Sequence, residues 1–288
     1  MDLAATLKTC QLLHQRAPEI VAEELDYISR SEVGLILGDI PALCFEIATR
    51  ANIPSIAITN FTWDFIYRAY LKQYPDFLPL GAEMQRCYSQ ASLALALPYS
   101  CTLDVFPRRE EIPWIARVSL LSRDEARQKF SLPRSAAIVL LSFGGLGFNH
   151  LRWEELKKAS EYYFVASGKV MRENGNLRIV PDAQRNYADL IRAADVIVTK
   201  PGYGIVADAI SHQVPVLYTD RGEFPEHPKL VEALQSCATA EFIPQADLFA
   251  GKLAPYLSRI LNRARNQSRV RLNGATVAAE KILSLLGN

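Results

Sequence analysis

The chain has 288 residues, which suits two α/β domains of unequal size. Its 32 basic and 31 acidic residues leave a formal net charge of +1, so no overall field would gather a nucleic acid. With 49% hydrophobic and 22% charged residues it composes like a soluble globular protein, not a disordered one, and no window approaches the roughly 20 apolar residues that span a bilayer.

Residues 1 to 30 carry apolar positions at helical spacing interrupted by Pro18, which predicts two helices. VGLILGD (Val33 to Asp39) is a continuous apolar run of strand length. The helix-like PALCFEIATRAN and a second run, PSIAITN (Pro54 to Asn60), follow it. Buried parallel strands joined by a crossover helix read this way. Residues 61 to 91 are predicted helical and SLALALP (Ser92 to Pro98) a further strand. The stretch from Pro98 to Pro133, with four prolines and no firm periodicity, is the expected linker.

The alternation then restarts. AAIVLLSFGG is a strand, residues 150 to 160 a helix, and YYFVASG and LRIV are strands. Next come a helix from Gln184 to Ala193, the strand DVIVTK, a helix from Tyr203 to His212, the strand PVLYTD and a helix from near Glu226. Helical patterns also cover about Asp247 to Arg263 and about Val270 to Leu286. Such βαβα order predicts two Rossmann-like, doubly wound parallel-sheet domains, residues 1 to 120 and 121 to 288. The first has no strand candidate before Val33, so its sheet is expected to lack its first strands.

Ligands of open parallel sheets sit beyond the carboxyl ends of the strands, where main-chain N–H groups at helix starts point outward. Two turns have that composition. In SFGGLGFN, Gly144 and Gly145 let the backbone approach a ligand; in TKPGYGIVADA, Gly202 and Gly204 either take positive φ or permit close contact. Asp208, one turn into the next helix, is either a ribose-diol acceptor or an N-terminal helix acid favoured by the macrodipole. Glu226, in DRGEFPEHPKL, is either a ligand for sugar hydroxyls or another helix-start acid.

The order strand, GG turn, then IVPDAQRNYADLIRAADVIVTKPGYGIVADAISHQVPVLY, then an acidic helix start resembles the nucleotide-sugar-binding half of GT-B glycosyltransferases. LILGDIPALCFEIATRANIPSIAITNFTWDFIY extends the likeness. It is similar to the glycosyltransferase-like N-terminal half of arabinokinase-type proteins and their free-standing bacterial relatives. The resemblance implies that main chain near Val180 meets a nucleotide base, Gly202, Tyr203 and Gly204 the diphosphate, Asp208 the ribose and Glu226 the donor sugar. That family usually has Glu where this chain has Asp208. It also begins with a strand and a Gly/His loop that this chain does not contain.

Transfer to an acceptor hydroxyl needs a base. Asp39, ending the first predicted strand, and Asp64, in NFTWDF, are the candidates; their alternatives are a helix N-cap and surface capping. The function so read is transfer of a sugar from a nucleoside diphosphate sugar, a UDP-sugar foremost, to an acceptor. A non-catalytic nucleotide-sugar-binding or regulatory module is the alternative, and an epimerase on the same fold a third. No cofactor beyond the donor is expected, because main-chain dipoles can hold the diphosphate without metal.

The four histidines lack metal-ligand spacing. Five cysteines without a C-x-x-C pair, and a start with no leader pattern, point to a cytoplasmic protein. A sheet edge left open by missing strands would invite a homo-oligomer or a partner chain.

Overall fold

The computed structural model describes residues 2–143, 151–168, 172–181, 186–266 and 268–287. Both sheets are built of parallel strands with helices between them, the expected α/β class. The chain divides into two compact units. The first comprises Met1–Ile115, Phe224–Lys229 and Arg271–Asn288, the second Ala116–Glu223 and Leu230–Val270. The break thus falls five residues before the expected position 120, and the last helix groups with the first unit instead of the second. Among the described residues no helix is long and apolar enough to cross a membrane.

The first unit opens with α1 (Leu3–Ser29), a single helix through Pro18 where two were expected. Proline removes one backbone bond, but packing on either side of it holds the helix together. Leu3, Leu7 and Cys10 form one stripe against the cluster of Ile66, Tyr67 and Phe77, and Val21 is buried beyond the proline. Strands β1 (Ile36–Gly38), β2 (Ser55–Thr59), β3 (Leu93–Ala96) and β4 (Arg109–Glu111) form a parallel sheet in that order. Helices α2 (Leu43–Arg50), α3 (Trp63–Arg68) and α4 (Phe77–Tyr88) separate the first three strands.

Alternation along the strands divides the core of this unit into two faces. Ala57 and Ala94 pack with Phe45, Tyr88 and Phe106 on one. Ile56, Leu93 and Leu95 pack with Ile112 and with Ala278 of the C-terminal helix Gly274–Leu286 on the other.

The segment expected to be a plain linker carries structure of its own. Besides β4 it contains α5 (Arg123–Lys129), started by a reciprocal capping box in which Ser122 and Glu125 each bond the other's main-chain N–H.

In the second unit β5 (Ala137–Ser142), α6 (Trp153–Lys158), β6 (Tyr162–Gly168), β7 (Arg172–Asn174), β8 (Leu177–Pro181), α7 (Tyr187–Ala193) and β9 (Val196–Thr199) come first. Then follow α8 (Tyr203–His212), β10 (Val216–Tyr218), α9 (His227–Cys237), β11 (Ala240–Phe242), α10 (Gln245–Phe249) and α11 (Ala254–Leu261). The seven-stranded sheet runs β11-β10-β9-β5-β6-β8-β7 and is parallel except for the β7–β8 hairpin. That hairpin turns at Gly175, whose φ of 61° favours glycine. The long helix expected over residues 247 to 263 is two helices, α10 and α11.

The C-terminal helix begins by docking on main chain. Gly274 donates its N–H to the Trp114 carbonyl (3.1 Å), and a Cβ at this position would lie 2.1 Å from the Pro113 carbonyl oxygen and 2.7 Å from that of Trp114. Gly274→Ala is therefore expected to destabilise the fold by ~3 kcal/mol, at the upper end of overpacking costs. A urea-unfolding midpoint equal to that of the unaltered protein would contradict this docking.

Candidate functional site

The carboxyl ends of β5, β9 and β10 lie side by side in the second unit. Ser142 pairs with Thr199, and Thr199 with Tyr218. The buried Thr199 hydroxyl donates to the Ser142 carbonyl (2.5 Å), the Tyr187 hydroxyl bonds the Ser142 side chain, and Thr219 donates its N–H to the Thr199 carbonyl (3.0 Å). The strands that feed the two glycine turns are thus hydrogen-bonded neighbours ending at one edge. Gly144 and Gly145 themselves lie outside the described residues.

At that edge α8 starts from Gly202 with no side chain capping it. Neither of the two glycines here has a positive φ, so that part of the expectation falls away. Among the described residues, a Cβ on Gly204 would have nothing within 4 Å, and one on Gly202 only the Arg221 guanidinium at 3.9 Å. Neither dihedral strain nor crowding by the described residues calls for glycine at these positions; open main-chain approach remains. Arg221 donates to the Pro201 carbonyl (2.9 Å), which holds a guanidinium beside the helix start, and Lys200 precedes it in the chain. Tyr203 is half-buried, and burial pushes its hydroxyl pKa up. Together with the positive end of the helix dipole, this is a setting for an anion. Val180 pairs with Ser167 near the end of β8 on the same sheet.

Asp208 does not present itself to a ribose. It is buried in α8, and both carboxylate oxygens are engaged by Arg117. The main-chain N–H of Arg117 bonds Oδ1 (2.9 Å), and its guanidinium bonds Oδ2 (3.1 and 2.6 Å). One helical turn on, His212 Nε2 accepts the Ser119 N–H (3.0 Å), which leaves the proton on Nδ1 to face the Asp208 carbonyl (2.7 Å). Sequence reading weighed His212 only as a metal ligand and missed Arg117 and Arg221 altogether. The i, i+4 spacing of Asp208 and His212 on one helix face was the available signal.

The other three expected residues group with the first unit. Glu226 precedes α9 in the segment Phe224–Lys229. It is buried and accepts a hydrogen bond from Asn60 Nδ2 (2.5 Å) at the end of β2. Asp39 is exposed after β1 and is followed by Ile40 at φ 61°, a strained conformation for a β-branched residue. Asp64 is buried in the first turn of α3. Its Oδ2 accepts from Gln85 (2.8 Å) and Arg68 (3.3 Å), while Oδ1 has no hydrogen-bond partner among the described residues. Glu46, Glu83 and Cys87 bring potential metal ligands within 4.8 Å of one another. Arg86 bonds both carboxylates, and burial pushes the Cys87 thiol up to about 12, so this cluster reads as a salt-bridge network.

Solved structures resemble nearly the whole chain. The glycotransferase of kitacinnamycin matches with a TM-score of 0.62 over 99% of this chain and 78% of its own, at 17% identity. UGT2 of Phytolacca americana, solved with UDP-2-fluoro-glucose and pterostilbene, matches with a TM-score of 0.59 over 96% and 76%, at 13% identity. The fold is GT-B. At such identities the likeness establishes the GT-B fold alone.

In sequence, L-arabinokinase of Arabidopsis thaliana is 27% identical over 248 residues, 85% of this chain but 24% of the plant protein. An uncharacterized glycosyltransferase of Methanopyrus kandleri is 21% identical over 197 residues, 64% of this chain and 57% of its own. The GT-B chain therefore spans less than two thirds of either relative. No protein-family profile matches it.

Burial pushes the pKa of His212 below its ordinary 6.5, against the pull of the Asp208 carbonyl and carboxylate, which favour the charged ring. Asp189 opposes that shift and Arg192 reinforces it. A depressed folded pKa contributes stability that is complete above the unfolded value and is lost as pH falls below about 6.5. The urea midpoint should drop between roughly pH 7.5 and pH 5.5, and less steeply in His212→Gln. Equal slopes in the two proteins would refute the staple.

Proposed function

We propose that this protein binds a nucleoside diphosphate sugar, with a UDP-sugar as first candidate, and transfers its glycosyl group to an acceptor hydroxyl. The observation that carries the reading is the uncapped start of α8. It lies at the carboxyl edge of a parallel sheet beside Arg221, and neither of its glycines has a structural reason among the described residues. The UDP-2-fluoro-glucose bound by the Phytolacca neighbour supports the same ligand class.

In this reading the main-chain N–H groups of Gly202, Tyr203 and Gly204, with Arg221, neutralise the diphosphate. Main chain near Val180 meets the base, Gly144 and Gly145 border the phosphates, and Glu226 meets the sugar. As the bond from the sugar's anomeric carbon to the diphosphate breaks, charge grows on the leaving oxygen, where fixed amide dipoles stabilise it without reorganising. The acceptor oxygen forms the new bond and gives its proton to a carboxylate. Asp39, exposed and beside a strained residue, suits that role better than Asp64, which is already held by Gln85 and Arg68. Asp208 acts as an anchor for Arg117 and has no part in binding ribose.

A second reading keeps the nucleotide-sugar binding without turnover. It is favoured by the engagement of both Asp64 and Asp208 within the protein. Cytoplasmic residence and a partner along the β1 edge belong with either reading.

Titration calorimetry with UDP and UDP-glucose tests the binding, and donor hydrolysis or transfer separates the two readings. Gly204→Ala should leave folding stability unchanged or raised by up to ~1 kcal/mol. It should weaken UDP about tenfold or more, a loss of at least ~1.4 kcal/mol in binding. Absence of heat at millimolar UDP removes both readings; binding without released sugar or transfer selects the second.

A further inference from the structure

A cavity of about 670 Å³ lies among α1, β1, α2, α3 and α4 of the first unit. That volume is within the range of small-molecule sites, about 300–1,000 Å³. Leu13, Ala17 and Ile20 line it from α1 at helical spacing, and Ile47 lines it from α2. Trp63 and Tyr67, stacked with ring centroids 5.5 Å apart, complete an aromatic side.

Several polar groups of the wall are paired within the protein. Tyr67 and Cys10 bond each other (3.3 Å), and Glu83 is tied to Arg86. Burial pushes the Cys44 and Cys87 thiols up to about 12, so both stay protonated at neutral pH. Among the described residues no lysine or arginine lines the cavity, and the exposed Glu24 and His14 line its rim from α1. A carboxylate or phosphate head would therefore find no lysine or arginine to pair with and would face the Glu24 and Glu83 carboxylates.

We propose that this cavity binds an uncharged, ring-bearing, largely apolar small molecule. Its wall includes Ile40 and Pro41, which follow Asp39, so a hydroxyl-bearing ligand here would serve as acceptor in the transfer proposed above. The binding itself does not depend on that transfer, and it is measured without nucleotide.

Two fluorescent probes with one aromatic skeleton provide the test: uncharged N-phenyl-1-naphthylamine and its sulfonated analogue 8-anilino-1-naphthalenesulfonate. The full chain should bind one equivalent of the uncharged probe about tenfold more tightly than the sulfonate, a gap of ~1.4 kcal/mol. Glu24→Lys should narrow that gap by strengthening the sulfonate alone. Ala17→Trp should obstruct the cavity between α1 and the aromatic side and weaken binding at least tenfold with the unfolding midpoint unchanged. Trp63→Phe should keep binding while losing most of the tryptophan-to-probe energy transfer. The inference is overturned if the uncharged probe does not bind, if Ala17→Trp or the energy transfer is indifferent to it, or if the probe is expelled as the chain self-associates. The last outcome would make a polypeptide surface the occupant.

Discussion

A carboxylate whose side chain is only 3% exposed inside a helix must be paired, and Asp208 meets that constraint with a single residue of the segment leading into the second unit. The ion pair itself is worth little, ~1 kcal/mol or less, because the Arg117 side chain is 58% exposed and its charge is screened. The stronger constraint is what Asp208 would cost if left alone, several kcal/mol of uncompensated burial. Ser119 repeats the attachment on His212. The geometry matches: two residues of extended chain advance roughly 6.6 Å and four of helix roughly 6.0 Å, so positions 117 and 119 meet positions 208 and 212 without strain. The later turns of α8 are thereby committed to holding the linker, and its first turn alone is left for a ligand.

Much of this architecture was legible because buried parallel strands are written as continuous apolar runs: SIAIT, LALA, AIVLLS and VIVT all became strands. The bounds of α8 were readable from the Pro-Gly entry and the small-residue stretch after it. What stayed hidden was held by partners instead of by pattern. β4 is Arg109–Glu111, a charged tripeptide that becomes a strand because Ala94–Ala96 offers it a ladder. β7 is fully exposed and exists through its turn and its pairing with β8. The capping box before α5 could have been read and was hidden by prolines on both sides.

The candidate site divides in the same way. Gly202 and Gly204 announce themselves through composition, whereas the use made of Asp208 depends on a residue 91 positions away, beyond any local spacing rule. Glu226 likewise reads as the acid of a helix start, and its contact with Asn60, 166 residues distant, ties it into the interior. An acid at a helix start carries little information by itself, since the dipole favours one whether or not a ligand is present.

Glycine is more informative there, for the opposite reason. Within a helix it costs up to ~1 kcal/mol relative to alanine, so a glycine with ordinary dihedrals and free space around it is a local loss. Gly175 and Gly274 are accounted for by a left-handed turn and by carbonyls at bonding distance. Among the described residues Gly204 has neither. It lies in the first turn at the positive end of a ten-residue helix, beside a guanidinium held by its own bond to the turn. The cavity in the first unit has the reverse character, with apolar walls and, among the described residues, no lining lysine or arginine. Anions therefore have reason to gather at the α8 start, while apolar, uncharged molecules have reason to gather in the cavity. Such a separation of charge is compatible with the transfer proposed above.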